Sequence, residues 1–111
     1  MKERTIQNAI LVALSTAFAG EAIWWKNDTG TAKSMDGKRT IRFGLKGSPD
    51  ILGCYGGRFF GIEVKTATGS QEDSQKKFQK VFERSGGIYI IARSPEEAVR
   101  EIRKRVALLD A

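Results

Sequence analysis

Apolar positions change period several times along this chain, and each change marks an element. Between residues 4 and 18, Ile6, Ile10, Ala13, Leu14, Ala17 and Phe18 recur at spacings of three and four, predicting a helix with one buried stripe that stops at Gly20. Ala22–Lys26 reads as a short strand, followed by the turn-forming run Asn27-Asp28-Thr29-Gly30. Large apolar residues are scarce over 30–38, where a mobile loop is expected, and 40–45 reads as a second strand. Ile51–Tyr55 and residues 58–65 flank Gly56-Gly57, a two-residue hairpin turn.

Ser70-Gln71-Glu72-Asp73 resembles a capping box that opens a helix with Phe78, Val81 and Phe82 as its apolar points and Gly86-Gly87 as its stop. Ile88–Ala92 is continuously apolar and predicts a buried strand. Ser94-Pro95-Glu96-Glu97 supplies an N-cap, a proline at the first helical position and an acidic first turn. The helix it opens carries Val99, Ile102, Val106 and Leu109 on one face. The expected order is therefore α-β-β-β-β-α-β-α. Helices with a single apolar face need a sheet to cover, so an α/β fold with a central mixed β-sheet flanked by helices follows.

The 111 residues suit one domain spanning 1–111, with no internal repeat or boundary. No apolar run is long enough to cross a bilayer, and the basic start is interrupted by Glu3, so neither a membrane partner nor a secretory signal is expected and a cytoplasmic location is. Nineteen basic residues against 13 acidic leave a net charge of +6, which suits a polyanionic partner. The chain has no histidine and one cysteine, Cys54. Histidine-based acid–base chemistry, Ser-His-Asp triads and closed Cys/His zinc sites are thereby excluded, and Cys54 is expected to serve packing. Any catalysis must rest on carboxylates, lysine and an oxygen-bound hard metal.

The second hairpin strand carries such chemistry. Phe60, Ile62 and Val64 alternate with Glu63 and Lys65, which places a carboxylate and an ammonium on one face. The two-residue turn sets Tyr55 opposite Arg58 and, counted outward, Asp50 opposite Glu63 in a non-hydrogen-bonded pair, with Cα atoms about 4.5 Å apart. Pro49 has no N–H to give a ladder, so pairing should fray there, and a bulge at Gly53 would shift the count. Directly opposed carboxylates repel. Lys65 offsets part of that repulsion, and a Mg²⁺ ion held by the two acids would offset it better. The same alternation also describes a solvated strand whose lysine neutralises one acid.

Pro49-Asp50 followed by Glu63-Val64-Lys65 resembles the PD-(D/E)XK nuclease signature. The wider run from Arg39 to Gly53, Gly61-Ile62-Glu63-Val64-Lys65, Gln75 and Gly86-Gly87 are similar to the stand-alone virus-type replication–repair nuclease (VRR-NUC) domains of phages and bacteria. The resemblance runs from Glu3 to about Ser94. It implies a restriction-endonuclease-like fold and Mg²⁺- or Mn²⁺-dependent DNA cleavage. Asp50, Glu63 and the Val64 backbone carbonyl would be metal ligands, with Glu3 a further one. Lys65 would activate the attacking water, and Gln75 would stand beside the site.

Lys33, Lys38, Arg39, Arg42 and Lys46 precede the acids against Asp36 alone, and Lys76 follows Gln75, so these six are candidate DNA contacts. Trp24-Trp25 on one strand must face opposite ways, one to the core and one to DNA or a second subunit. The function expected is that of a metal-dependent DNA endonuclease, homodimeric and acting on branched DNA such as four-way (Holliday) junctions. A monomeric nicking or flap-type nuclease and a catalytically silent DNA-binding module are the alternatives.

Overall fold

The computed structural model describes residues 1–110. In chain order the elements are α1 (Glu3–Ala17), β1 (Ala22–Lys26), β2 (Gly30–Lys33), β3 (Thr40–Phe43), β4 (Ile51–Tyr55), β5 (Arg58–Val64), α2 (Asp73–Arg84), β6 (Ile88–Ala92) and α3 (Pro95–Leu109). Strands β1, β4, β5 and β6 form a four-stranded sheet in that spatial order, antiparallel except for the parallel pair β5–β6. The α/β architecture with a mixed sheet flanked by helices is thus present.

One face of the sheet carries Trp24, Ile51, Phe60, Ile62, Val64, Ile90 and Ala92, all buried. Ile6, Ile10, Leu14 and Phe18 of the first helical stripe and Ala98 and Ile102 of α3 close over them in one core. Each of these larger side chains contributes about 1.5–3 kcal/mol by leaving water. The opposite face receives α2 only partly. Phe82 lies across Gly61 and Gly87, where a Cβ would come within 3.3 Å and 2.5 Å of its ring, and it packs against Phe59 and Tyr89. No residue of α2 is fully buried, and Val81, expected on its apolar face, is exposed.

Three sequence expectations need correction. Residues 30–33 are a strand rather than a mobile loop, paired antiparallel with β3 in a separate two-stranded sheet. Neither of its faces is buried, so Gly-Thr-Ala-Lys carries no apolar alternation from which to infer a strand. Helix α2 starts at Asp73 with Glu72 as N-cap, two residues beyond the expected Ser70 cap. Gln75 decides this by accepting the Glu72 N–H on its Oε1 at 2.8 Å. Cys54 is exposed on the uncovered sheet face rather than packed. The Trp pair divides as expected, with Trp24 in the core and Trp25 exposed beside Phe59.

Candidate active site

The hairpin register is the one that the Gly56-Gly57 turn dictates: Tyr55 faces Arg58, Gly53 faces Phe60 without a bulge, and Ile51 faces Ile62. Regular pairing ends there, one residue short of Asp50 and Glu63. A continuing ladder would take the Val64 N–H to the Pro49 carbonyl. Instead the Asp50 carboxylate accepts it at 2.7 Å, and the Pro49 carbonyl accepts from Asn27 Nδ2 at 2.8 Å. The Asp50 side chain is therefore drawn onto β5 beside Glu63.

Several groups hold the Asp50 backbone. Its carbonyl accepts from the Asn27 N–H at 2.8 Å and from Gln7 Nε2 at 3.4 Å. Asn27 Nδ2 also donates to Ser48 Oγ at 2.7 Å. Gly47, at φ 83°, lies so close to the first turn of α2 that a Cβ would stand 2.4 Å from the Ser74 carbonyl oxygen. Pro49 in turn rests on Gly61, where a Cβ would meet its Cγ at 2.6 Å. Helix α1, strand β1, the 44–50 segment and α2 thus converge on one aspartate.

Glu63 is 1% exposed and Lys65 5%. The solvated-strand alternative fails on that burial, and no ion pair within 4 Å joins Lys65 to either acid among the described residues. Glu63 Oε1 accepts from Gln75 Nε2 at 3.1 Å, and Oε2 accepts from the Tyr89 hydroxyl at 3.3 Å. The Tyr89 hydroxyl accepts from Gln71 Nε2 at 3.1 Å, and Gln71 is bonded to Gln79 Oε1 at 2.8 Å. Burial foremost, then hydrogen bonding and repulsion with Asp50, push the Glu63 carboxyl up to about 9, against a smaller opposing effect of the Lys65 charge. Tyr89 is also shifted upward, chiefly by burial. Burial beside a second carboxylate thus disfavours the charged form of Glu63.

A cleft of about 250 Å³ opens beside Asp50, lined by Asp50 and Gln75, by Glu72 and Ser74 at the α2 start, and by Thr31, Arg42 and Lys46 on the far wall, while Glu63 and Lys65 are buried and do not line it. The turn after Lys65 is tied down from β6's end, with Arg93 Nη1 donating to the Thr66 and Gly69 carbonyls at 2.6 and 2.7 Å.

Of the residues singled out in the sequence, the structure unites Asp50, Glu63 and Gln75, with Lys65 buried just past the end of β5. The Val64 carbonyl leaves the strand on the same side as its N–H, toward Asp50. Glu3 is not brought in. It sits exposed on the first turn of α1, and no group of three or more His, Cys, Asp or Glu side chains converges among the described residues. Gln7, one turn later, reaches Asp50 instead. Arg42 and Lys46 reach the cleft, Lys33, Lys38 and Arg39 lie farther out on the β2–β3 hairpin, and Lys76 is exposed on α2.

Gln7, Asn27, Gln71, Gln79, Tyr89 and Arg93 escape a sequence reading of the site. Gln7 left a signal, as a polar residue three before Ile10 on an apolar helix stripe, and Gln71 and Gln79 recur with Gln75 every four residues, a spacing that reads first as an ordinary polar helix face. No protein-family model matches this chain, and no curated protein matches it.

Proposed function

We propose that this protein is a divalent-metal-dependent DNA endonuclease with a restriction-endonuclease-like core of VRR-NUC type. The observation that carries the reading is the placement of Asp50 beside Glu63 at the end of the β4–β5 ladder, with Glu63 buried, its carboxyl pushed up, and Lys65 buried just past the end of β5. A buried acid set beside a second, half-buried carboxylate, with no ion pair to either among the described residues, is costly. An all-oxygen set of two carboxylates and the Val64 carbonyl, with Asp50 at the wall of a cleft of about 250 Å³, fits Mg²⁺ or Mn²⁺. When bound, such an ion would neutralise phosphate charge and supply a nucleophilic water near neutral pH.

The chain's own residues do the rest. Asp50 and Glu63 would hold the cation, and Gln75 and Tyr89 each fix one Glu63 oxygen, which keeps the carboxylate in a single rotamer. Lys65 donates to the attacking water and to the phosphate oxygens, where negative charge grows. Arg42 and Lys46 on the far wall grip the backbone phosphates of the strand. Attack by water in line with the 3′ oxygen would form the new phosphorus–oxygen bond as the old one breaks, with the water's proton passing to solvent. The products are a 5′-phosphate and, once the leaving oxygen takes a proton, a 3′-hydroxyl.

One domain carries one such site, so paired cuts across a four-way junction require two copies related by a two-fold axis. Ile23, Trp25 and Phe59 on the sheet face that α2 leaves open supply exposed apolar surface for that contact.

Cleavage of a labelled four-way junction and of a matched linear duplex, with Mg²⁺, Mn²⁺ or EDTA, tests the proposal. Paired symmetric cuts in the junction, lost with EDTA and in Lys65→Ala, are expected, together with a dimeric mass by light scattering. Cleavage of both substrates by a monomer would transfer the reading to a general nicking nuclease. Metal-independent binding without cleavage would leave a DNA-binding module.

A further inference from the structure

The β2–β3 hairpin belongs to neither helical layer. Its two strands bond only to each other, and no residue of either is buried. The molecule extends 54 × 31 × 30 Å with a radius of gyration of 15.0 Å, above the roughly 13 Å of a compact chain of this length, as a projecting arm requires. The root of the arm is tied to the site, because Asn27 just before it donates to the Asp50 and Pro49 carbonyls at 2.8 Å each, and its two legs meet where a Cβ on Gly44 would stand 2.6 Å from the Asp28 carbonyl oxygen. Gly30, Thr31, Arg42 and Phe43 at that root form one wall of the cleft over Asp50. The arm therefore stands in a set position relative to the acidic pair.

Its tip is built rather than slack. The Ser34 N–H donates to the Arg39 carbonyl at 2.9 Å, the Gly37 N–H to the Ser34 carbonyl at 2.8 Å, and the Arg39 N–H to Ser34 Oγ at 3.0 Å. The Lys38 N–H donates to Asp36 Oδ1 at 3.0 Å, so the one acid of the arm is engaged inside the turn. Bonds from the Ser34 hydroxyl and Lys38 hold the Asp36 carboxyl below its usual range. At the outermost point stands Met35, fully exposed at 108%. Lys33, Lys38 and Arg39 flank this apolar tip, with Arg42 nearer the root.

A rigid cationic ribbon tipped by one unburied apolar side chain contributes nothing to folding at that tip. Its form fits a nucleic-acid groove, where lysine and arginine track phosphates and an apolar wedge enters a base step. We propose that the β2–β3 arm inserts Met35 against an unstacked base pair at the branch point of DNA, while Lys33, Lys38 and Arg39 hold the flanking phosphates. The arm then decides where along a branched substrate the cleft is placed. This rests on the DNA reading above and adds the element that selects the branch.

The test uses the full chain in EDTA, where binding is read without cleavage, and a four-way junction with 2-aminopurine at the branch point. Wild type is expected to raise the fluorescence by unstacking the base. Met35→Ser should return it to the level of free junction while changing affinity by less than about threefold, since phosphate contacts persist. Lys33→Ala with Arg39→Ala should weaken binding roughly tenfold and lower the log–log salt slope by about 2.

Thermal melting verifies that these exposed substitutions leave the fold intact. Unchanged fluorescence with Met35→Ser, while wild type still binds and cuts, overturns the arm proposal and spares the nuclease. Persistence of the Met35-dependent signal without any metal-dependent cleavage supports the arm and overturns the nuclease. A loss of dimer mass in Met35→Ser would show the tip docked on a second copy instead, and absence of DNA binding by wild type would overturn both readings.

Discussion

The Asp50 carboxylate accepts the backbone N–H of Val64 at 2.7 Å and so substitutes for the ladder bond that Pro49 would otherwise have accepted. The bond closes the sheet end and carries the acid to the side of Glu63. Structural and chemical roles therefore separate by substitution. Asp50→Asn keeps an acceptor for Val64 and removes a charge from the pair, so the metal-free protein should melt no lower than wild type while cleavage is lost. Asp50→Ala leaves the Val64 N–H without its partner and should cost about 1–3 kcal/mol as well. Parallel melts in EDTA and junction-cleavage assays measure both; a strongly destabilised Asp50→Asn would show that charge, not hydrogen bonding, holds this end of the sheet.

Glu63 makes the metal-free fold sensitive to base. Its carboxyl holds a proton up to about 9 in the folded chain, against 4.5 for an unperturbed glutamate. Below the lower value both states are protonated and the contribution to stability is complete. Above it the unfolded chain binds fewer protons, so stability should decline toward pH 9, by at most about 1.4 kcal/mol per unit. Urea midpoints in EDTA at several pH values should show that decline, and Glu63→Gln should flatten it. Metal affinity should move the opposite way and rise with pH, because the proton must leave for the cation to bind.

Tyr89 and Gln75 orient one carboxylate from two sides. Tyr89→Phe preserves the ring against Phe82 and removes only the hydroxyl, so a loss of about 1 kcal/mol in stability is expected. The larger effect should be on metal affinity and turnover, about 10- to 100-fold, because Glu63 then samples other rotamers. Calorimetric Mn²⁺ titration of Tyr89→Phe and Gln75→Ala would reveal it, and wild-type affinity in both variants would remove these residues from the site.

Two glycines with similar backbone should behave differently. Gly47 at φ 83° has the Ser74 carbonyl oxygen 2.4 Å from where a Cβ would be, whereas Gly56 at φ 58° has nothing within 4 Å. Gly56→Ala should cost only the left-handed backbone strain, about 1–2 kcal/mol, and leave specific activity unchanged. Gly47→Ala must also push the segment before Asp50 away from α2, which should abolish cleavage even in the fraction that stays folded. Active-site titration at equal folded protein distinguishes the two.

Local rules acting on the sequence determined three helices, five of the six strands and the register of the acidic hairpin. A helix needs only a repeating apolar stripe, and a Gly-Gly turn sets every facing pair after it, which is why Asp50 and Glu63 were legible as neighbours before any fold was known. Tertiary structure decided the rest. Strand β2 has no buried face and hence no apolar alternation, so its pairing with β3 appears only when the chain has folded. The start of α2 moved because Gln75 satisfies Glu72 and Glu63 together, a contact between residues 12 apart that no local capping rule contains. Lys65 and Glu63 read equally well as a solvated pair until α2 and β6 enclosed them. Asn27, Gln7 and Tyr89 reach the site from β1's end, α1 and β6, and hydrogen bonds between elements far apart in the chain leave no periodic trace along it.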